Sequence, residues 1–88
     1  MILPLKESPL ECVKKRFPES GVLLERLFRE DRRFQEICTD YKDTANALAY
    51  WLQSPALSAN SIIEEYLTLL QELESEILRY LKEHPKEA

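Results

Sequence analysis

The stretch LFREDRRF, residues 27–34, places an aspartate on a helical stripe that is otherwise apolar. In steps of three and four, that stripe runs through Leu24, Leu27, Asp31, Phe34, Cys38, Tyr41, Ala45, Leu48 and Leu52. Such spacing keeps side chains on one side of an α-helix. Asp31 either begins a second segment, with its carboxylate accepting the amide of Arg33 or Phe34, or lies at the edge of one unbroken helix opposite a cation. We expect a kink near Asp31.

Capping boxes and prolines set the remaining helix boundaries. Ser8 with Glu11, and Ser61 with Glu64, each place a hydroxyl and a carboxylate three residues apart, the spacing that satisfies free amides at a helix start. Proline stops a helix because it disfavours helical geometry in the residue before it. The prediction is helices over residues 9–16, 19–30, 32–52 and 62–83, a loop over 53–61 and a frayed tail over 84–88.

Composition and periodicity predict an all-α fold. The chain has 88 residues and one glycine, and its apolar residues recur with helical rather than alternating spacing. This length suits a single domain over residues 1–88. We expect a short N-terminal helix packed on a long antiparallel hairpin whose first arm is kinked near Asp31. On dimerisation, two hairpins are expected to form a helical bundle with coiled-coil-like packing.

Residues 17–37, FPESGVLLERLFREDRRFQEI, carry a pattern found in a known family. A Phe-Pro-Glu entry stands at residues 17–19, Asp31 and Phe34 form a polar break followed by an aromatic, and residues 64–81 make a second long helix. In these features the chain resembles the YdcH-like family of small, uncharacterised bacterial helical proteins. Its second helix is rich in glutamate, whereas that of the family is usually rich in lysine. The resemblance implies a helical hairpin of unknown activity and transfers no catalytic residue.

The sequence offers little for catalysis or cofactor binding. His84, the single histidine, precedes Pro85 in the predicted frayed tail, where a general base cannot be held in place. Cys12 and Cys38 belong to no CxxC pair and are predicted to be buried thiols. A glycine-rich phosphate loop and the Glu-x-x-His pairs of metal-binding bundles are both missing from the sequence. We predict no enzymatic activity, no cofactor and no metal site.

The surplus of apolar residues predicts a protein-binding surface instead. Leu69 and Leu78 lie off the main stripe of the last helix, while Tyr50, Trp51 and Leu57 flank the loop. The loop cluster either plugs the end of the core or anchors a partner, since Tyr and Trp dominate interface energetics. We predict that these five residues form a self-association or partner surface, most simply in a homodimer. The chain is then a structural or regulatory interaction module.

Charge is distributed unevenly, and this suggests an alternative function. Residues 1–33 carry net +2 and residues 34–88 net −6, which gives the formal total of −4. The alternative is a nucleic-acid-binding hairpin dimer, because phosphate contacts dominate such affinity. Its candidate contacts are Lys14, Lys15, Arg16, Arg29, Arg32 and Arg33. They are interleaved with acids, which favours a solvated helix face.

The sequence carries no recognisable targeting or membrane-spanning segment. The apolar run at the N-terminus is too short for a signal peptide, and no stretch approaches the ~20 apolar residues of a membrane span. We expect a cytoplasmic protein that does not enter the membrane.

Overall fold

Helices make up the regular structure of the described part of the chain. The computed structural model describes residues 8–55 and 59–84. Its elements are α1 Pro9–Arg16, a 3-10 turn Pro18–Ser20, α2 Gly21–Glu30, α3 Arg32–Leu52 and α4 Ala59–Glu83. No strand occurs within those two ranges, and the predicted all-α class is therefore confirmed.

Asp31 separates α2 from α3, as the sequence predicts. Its backbone is extended, with φ −126° and ψ 111°, and its Oδ1 accepts the Phe34 amide at 3.0 Å. The Asp31 amide donates to the Leu27 carbonyl at 2.8 Å, so this residue closes α2 and caps α3. A side chain that accepts a free amide in the first turn stabilises a helix by about 1 kcal/mol. The alternative of one unbroken helix is wrong.

The first predicted capping box forms, and the second is displaced by an earlier helix start. At α1, the Glu11 amide donates to Ser8 Oγ at 3.1 Å, and the Ser8 amide donates to Glu11 Oε1 at 3.2 Å. In contrast, α4 begins at Ala59, so Ser61 lies inside the helix rather than at its cap. Because Ala59 is buried, packing favours the earlier start. The Ser61–Glu64 prediction is therefore wrong, and the loop is shorter than residues 53–61.

The hydrophobic core lies where α1 and α2 pack on the first half of α3 and the second half of α4. Its buried members are Val13, Leu23, Leu24, Leu27, Phe34, Ile37, Cys38, Tyr41, Leu73 and Ile77. Phe34 is completely buried, and its ring makes a T-shaped contact with the ring of Tyr80, with 5.1 Å between centroids. Residues early in α3 thus contact residues late in α4.

The apolar stripe of α3 is buried over only part of its predicted length. Leu48 is buried, whereas Leu52, one turn later, is 62% exposed. The core cluster contains no residue of α3 after Tyr41. Leu52 is the last residue of α3 and lies beyond the packed part of the α3–α4 pair, whereas Leu48 lies within it. In addition, at 1.5 Å per residue, α1 and α2 reach about 12 and 15 Å and cannot cover the whole of α3, which extends about 32 Å. Leu52 is thus an exposed member of the predicted stripe.

Candidate interaction surface

A polar triad holds the N-terminal layer on one side of α3 and α4. Arg16 at the end of α1 donates from Nε to Glu74 Oε2 at 2.8 Å and from Nη2 to Glu74 Oε1 at 3.4 Å. The Tyr41 hydroxyl of α3 donates to the same Glu74 Oε2 at 2.8 Å. One carboxylate in α4 is thus bonded to both α1 and α3. We call the side of α3 and α4 that α1 and α2 cover the front face, and the opposite side the back face.

The triad shifts the protonation equilibria of its members. Burial alone raises the pKa of Glu74, but the hydrogen bonds from Arg16 and Tyr41 and the charge of Arg16 outweigh it, so this pKa is lowered. The pKa of Tyr41 is raised, first by burial and then by its bond to Glu74. The pKa of Arg16 is raised by its bond to Glu74. The ionised carboxylate is therefore the form that the fold prefers.

Glu74→Gln is expected to lower the free energy of unfolding at neutral pH by about 1 kcal/mol, a value reduced by solvent screening because Arg16 is half exposed. The pKa of Glu74 is lower in the folded state than in the unfolded state, where it is about 4.3. The ionised carboxylate therefore stabilises the fold at pH values above the unfolded-state pKa, and this contribution is lost as the pH falls through the folded-state pKa. Urea unfolding of the wild type and the variant between neutral and acidic pH measures this.

The matched control for that substitution is Glu72→Gln, at an exposed position two residues earlier in α4. It removes the same charge without touching the triad, and we expect its unfolding curve to follow that of the wild type. A stability difference between the wild type and Glu74→Gln that persists unchanged into acid contradicts an ionised Glu74.

The front face continues beyond α1 and α2 as an open apolar surface, which we call the front tip. On α3, the front tip lies on the same side of the helix as Cys38, which packs near Cys12 of α1. On α4, it lies on the same side as Glu74. Steps of three and four along these two sides give Ala45, Ala49 and Leu52 in α3 and Ile63, Leu67 and Leu70 in α4. Leu52 is 62% exposed and Leu67 is 43% exposed, whereas the other four are half-buried and Leu70 packs against the core. The front tip is therefore apolar surface that is partly open to solvent.

The back face is marked by the ion pair of Arg33 in α3 with Glu76 in α4, where Nη2 and Oε2 lie 3.8 Å apart. Steps of three and four from Arg33 give Asp40, Thr44, Ala47 and Trp51, and from Glu76 they give Glu72, Leu69, Glu65 and Ile62. Leu69 is 40% exposed, while Trp51 and Ile62 are half-buried. This face combines apolar and acidic side chains.

The five predicted interface residues do not form a single surface. Leu69 and Leu78 are both exposed, but nine residues of helix place them on opposite flanks of α4. Trp51 lies on the back face with Leu69. Tyr50 is exposed on the outer side of α3, with its ring 5.4 Å from that of Trp51. Leu57 falls outside the described residues.

The sequence pattern does not predict the front tip, because helical spacing places Leu52 on the apolar stripe of α3 without showing whether that part of the stripe is covered. The sequence does show that Leu67 is on the same side of its helix as Glu74, because the two are seven residues apart. It does not show where along α3 and α4 the cover by α1 and α2 ends.

The six cations proposed to contact nucleic acid are divided between different faces, and at least three of them are paired with carboxylates. Lys14 pairs with Glu25, and Arg16 lies on the front face with Glu74. Arg33 lies on the back face, with Nη1 3.6 Å from Glu36 Oε1. Arg29, Arg32 and Lys15 are exposed. A phosphate backbone that contacts one face of the molecule therefore cannot reach all six.

Catalytic groups are sparse in the described ranges. Burial raises the pKa of the Cys38 thiol to about 12, so little nucleophilic thiolate forms near neutral pH. Cys12 is half-buried rather than buried. The His84 ring stacks on Tyr80 with 6.0 Å between centroids. No group of three or more His, Cys, Asp or Glu side chains suited to a metal occurs among these residues.

Comparisons with known proteins add no assignment to these surfaces. No family model, curated protein or solved structure matches the chain. Within residues 8–55 and 59–84, none of the helices combines the length and apolar character needed to cross a bilayer.

Proposed function

We propose that the chain is a non-catalytic interaction module that self-associates as a homodimer through the front tip. The observation that carries this proposal is the exposure of Leu52 and Leu67, 62% and 43%, on the same face that α1 and α2 cover in the other half of the molecule. Where α1 and α2 are present, most of that face belongs to the core, although Leu78 at its outer flank is 43% exposed. Beyond them, Leu52 and Leu67 are left open to solvent and the other members of the front tip are half-buried.

A second copy is the occupant that the chemistry of the front tip favours. Its six members are uncharged, and charged side chains are confined to its edges, at Lys42 and Glu64. Two identical front tips can therefore face each other without like charges at the centre of the contact. Around a two-fold axis, each α3–α4 pair becomes one half of an antiparallel hairpin bundle, and the four helices share one core.

The wider assignment depends on this contact. We assign the chain a structural or regulatory role, because the six apolar side chains of the front tip include no group that could act as an acid, a base or a nucleophile. Membership of the YdcH-like family, suggested by residues 17–37, and a cytoplasmic location belong to the same proposal. The spacing of the two cysteines supports that location, since disulfide frameworks are typical of secreted small domains.

The proposed contact can be tested by placing a photo-crosslinking residue at one position inside it and, in a second variant, at one position outside it. Benzoylphenylalanine at Gln53, an exposed residue at the edge of the front tip, is expected to yield a covalent dimer of twice the 10.4 kDa chain mass. At Glu65, exposed on the back face at a similar height along the hairpin, it is expected to leave the chain monomeric on a denaturing gel. Covalent dimers from Glu65 and none from Gln53 contradict a front-tip dimer.

A further inference from the structure

The back face carries an excess of negative charge. Its carboxylates are Glu36, Asp40, Asp43, Glu65, Glu72, Glu76 and Glu83, and its cations are Arg33 and Arg79. Seven carboxylates against two cations make this face strongly acidic. Arg33 is held between two of these carboxylates, at 3.6 and 3.8 Å. In the half of the back face nearer the loop, the described residues include no cation.

That half of the back face also has an apolar strip between its acids. Leu69 is 40% exposed and lies one turn from Glu65 on one side and from Glu72 on the other. Trp51 and Ile62 continue the strip toward the loop, and both are half-buried. An apolar strip with a negative rim, along two antiparallel helices, is the kind of surface on which a third, amphipathic helix can lie.

We propose that the back face is a docking groove for a basic amphipathic helix of another protein. The partner lays its apolar stripe on Leu69 and Trp51 and places Lys or Arg side chains opposite Glu65 and Glu72. Aromatic anchors and complementary charges are what such interfaces use for affinity and for orientation.

Charge decides between this partner and the other possible occupants. A second copy of the back face brings Glu65 and Glu72 against the same carboxylates, and like charges in contact cost free energy. Anionic lipid and nucleic acid are repelled for the same reason. The groove uses side chains on the face opposite the front tip, so it stands or falls independently of the proposed dimer.

A designed peptide supplies the probe. It has about 18 residues of Leu, Ala and Lys, roughly 27 Å of helix, with one apolar stripe flanked by lysines. Its matched control has Glu in place of Lys. Fluorescence anisotropy of the labelled peptides with the full chain is expected to show saturable binding of the basic peptide at one site per chain, and none of the acidic one. Equal binding of both peptides overturns the proposal.

Two pairs of variants locate the site. Glu65→Gln with Glu72→Gln is expected to weaken binding of the basic peptide at least tenfold. Glu19→Gln with Glu64→Gln, which removes the same charge from exposed positions off the back face, is expected to leave it within twofold of the wild type. Equal weakening by both pairs shows nonspecific attraction and overturns the proposal.

Leu69→Ala and Leu67→Ala make a second matched pair, since the two leucines are two residues apart and face opposite sides. Leu69→Ala is expected to weaken peptide binding about tenfold, and Leu67→Ala to leave it unchanged. The mass of each variant is measured in parallel by light scattering. Loss of self-association in Leu69→Ala, with peptide binding intact, shows that a second copy covers the back face and overturns the proposal. A monomeric wild type that binds the peptide contradicts the proposed dimer alone.

Discussion

The double variant Leu52→Lys with Leu67→Lys is expected to be a monomer at concentrations where the wild type is a dimer. Burying a leucine side chain contributes about 1.5–3 kcal/mol, and each two-fold contact contains two copies of both positions. Adding four ammonium groups to an uncharged contact opposes association further. We expect the dissociation constant of the dimer to rise at least about a hundredfold, since about 1.4 kcal/mol corresponds to a factor of ten. Sedimentation equilibrium measures it.

The matched control is Leu78→Lys, because Leu78 is as exposed as Leu67 but lies in the other half of α4, beyond the front tip. We expect it to dimerise like the wild type. Both variants should keep the helical circular dichroism of the parent, since their side chains are exposed within one subunit. Equal loss of dimer in the control and the double variant contradicts a contact confined to the front tip.

Phe34→Ala is expected to have the largest effect on folding. The Phe34 side chain is fully buried and its ring meets that of Tyr80. Replacing a buried Phe by Ala costs about 3–5 kcal/mol. Folded domains are stable by only about 5–15 kcal/mol, and a chain of 88 residues belongs near the lower end. Urea unfolding at one fixed protein concentration should show most of the stability lost.

Val22→Ala provides the reference for that experiment. Val22 lies in α2 and is 72% exposed, so its truncation is expected to change the free energy of unfolding by less than about 0.5 kcal/mol. A wild-type unfolding curve for Phe34→Ala is incompatible with the core described above.

Local signals were sufficient to predict some of these features. Asp31 interrupts an apolar stripe and has Phe34 three residues later, so both the break and its capping bond could be read from the sequence. The Ser8–Glu11 box is equally local, because its two hydrogen bonds involve residues of one turn. Such features depend on a few neighbouring residues and on backbone geometry that is the same in every helix.

Features that depend on where helices end relative to one another were not predictable in this way. Leu48 and Leu52 have the same spacing on the α3 stripe, yet one is buried and the other is exposed, because only one lies within the packed part of the α3–α4 pair. Ser61 has the spacing of a cap, but packing of Ala59 starts the helix earlier. The periodicity of a sequence shows which side of its helix a residue occupies. Whether another helix covers that side depends on tertiary packing.

The triad was also beyond sequence reasoning. Arg16 and Glu74 are 58 residues apart and belong to different helices, so no local pattern connects them. In the folded chain, Glu74 lies on the side of α4 that faces α1, and it therefore bonds to Arg16.

The central claim is that one copy of this chain leaves the front tip uncovered and a second copy covers it. Sedimentation equilibrium of the unaltered protein across a dilution series through the micromolar range tests this most directly. For a front-tip dimer, we expect a mass of twice 10.4 kDa that falls toward the single-chain value on dilution. A mass of one chain throughout that range contradicts it.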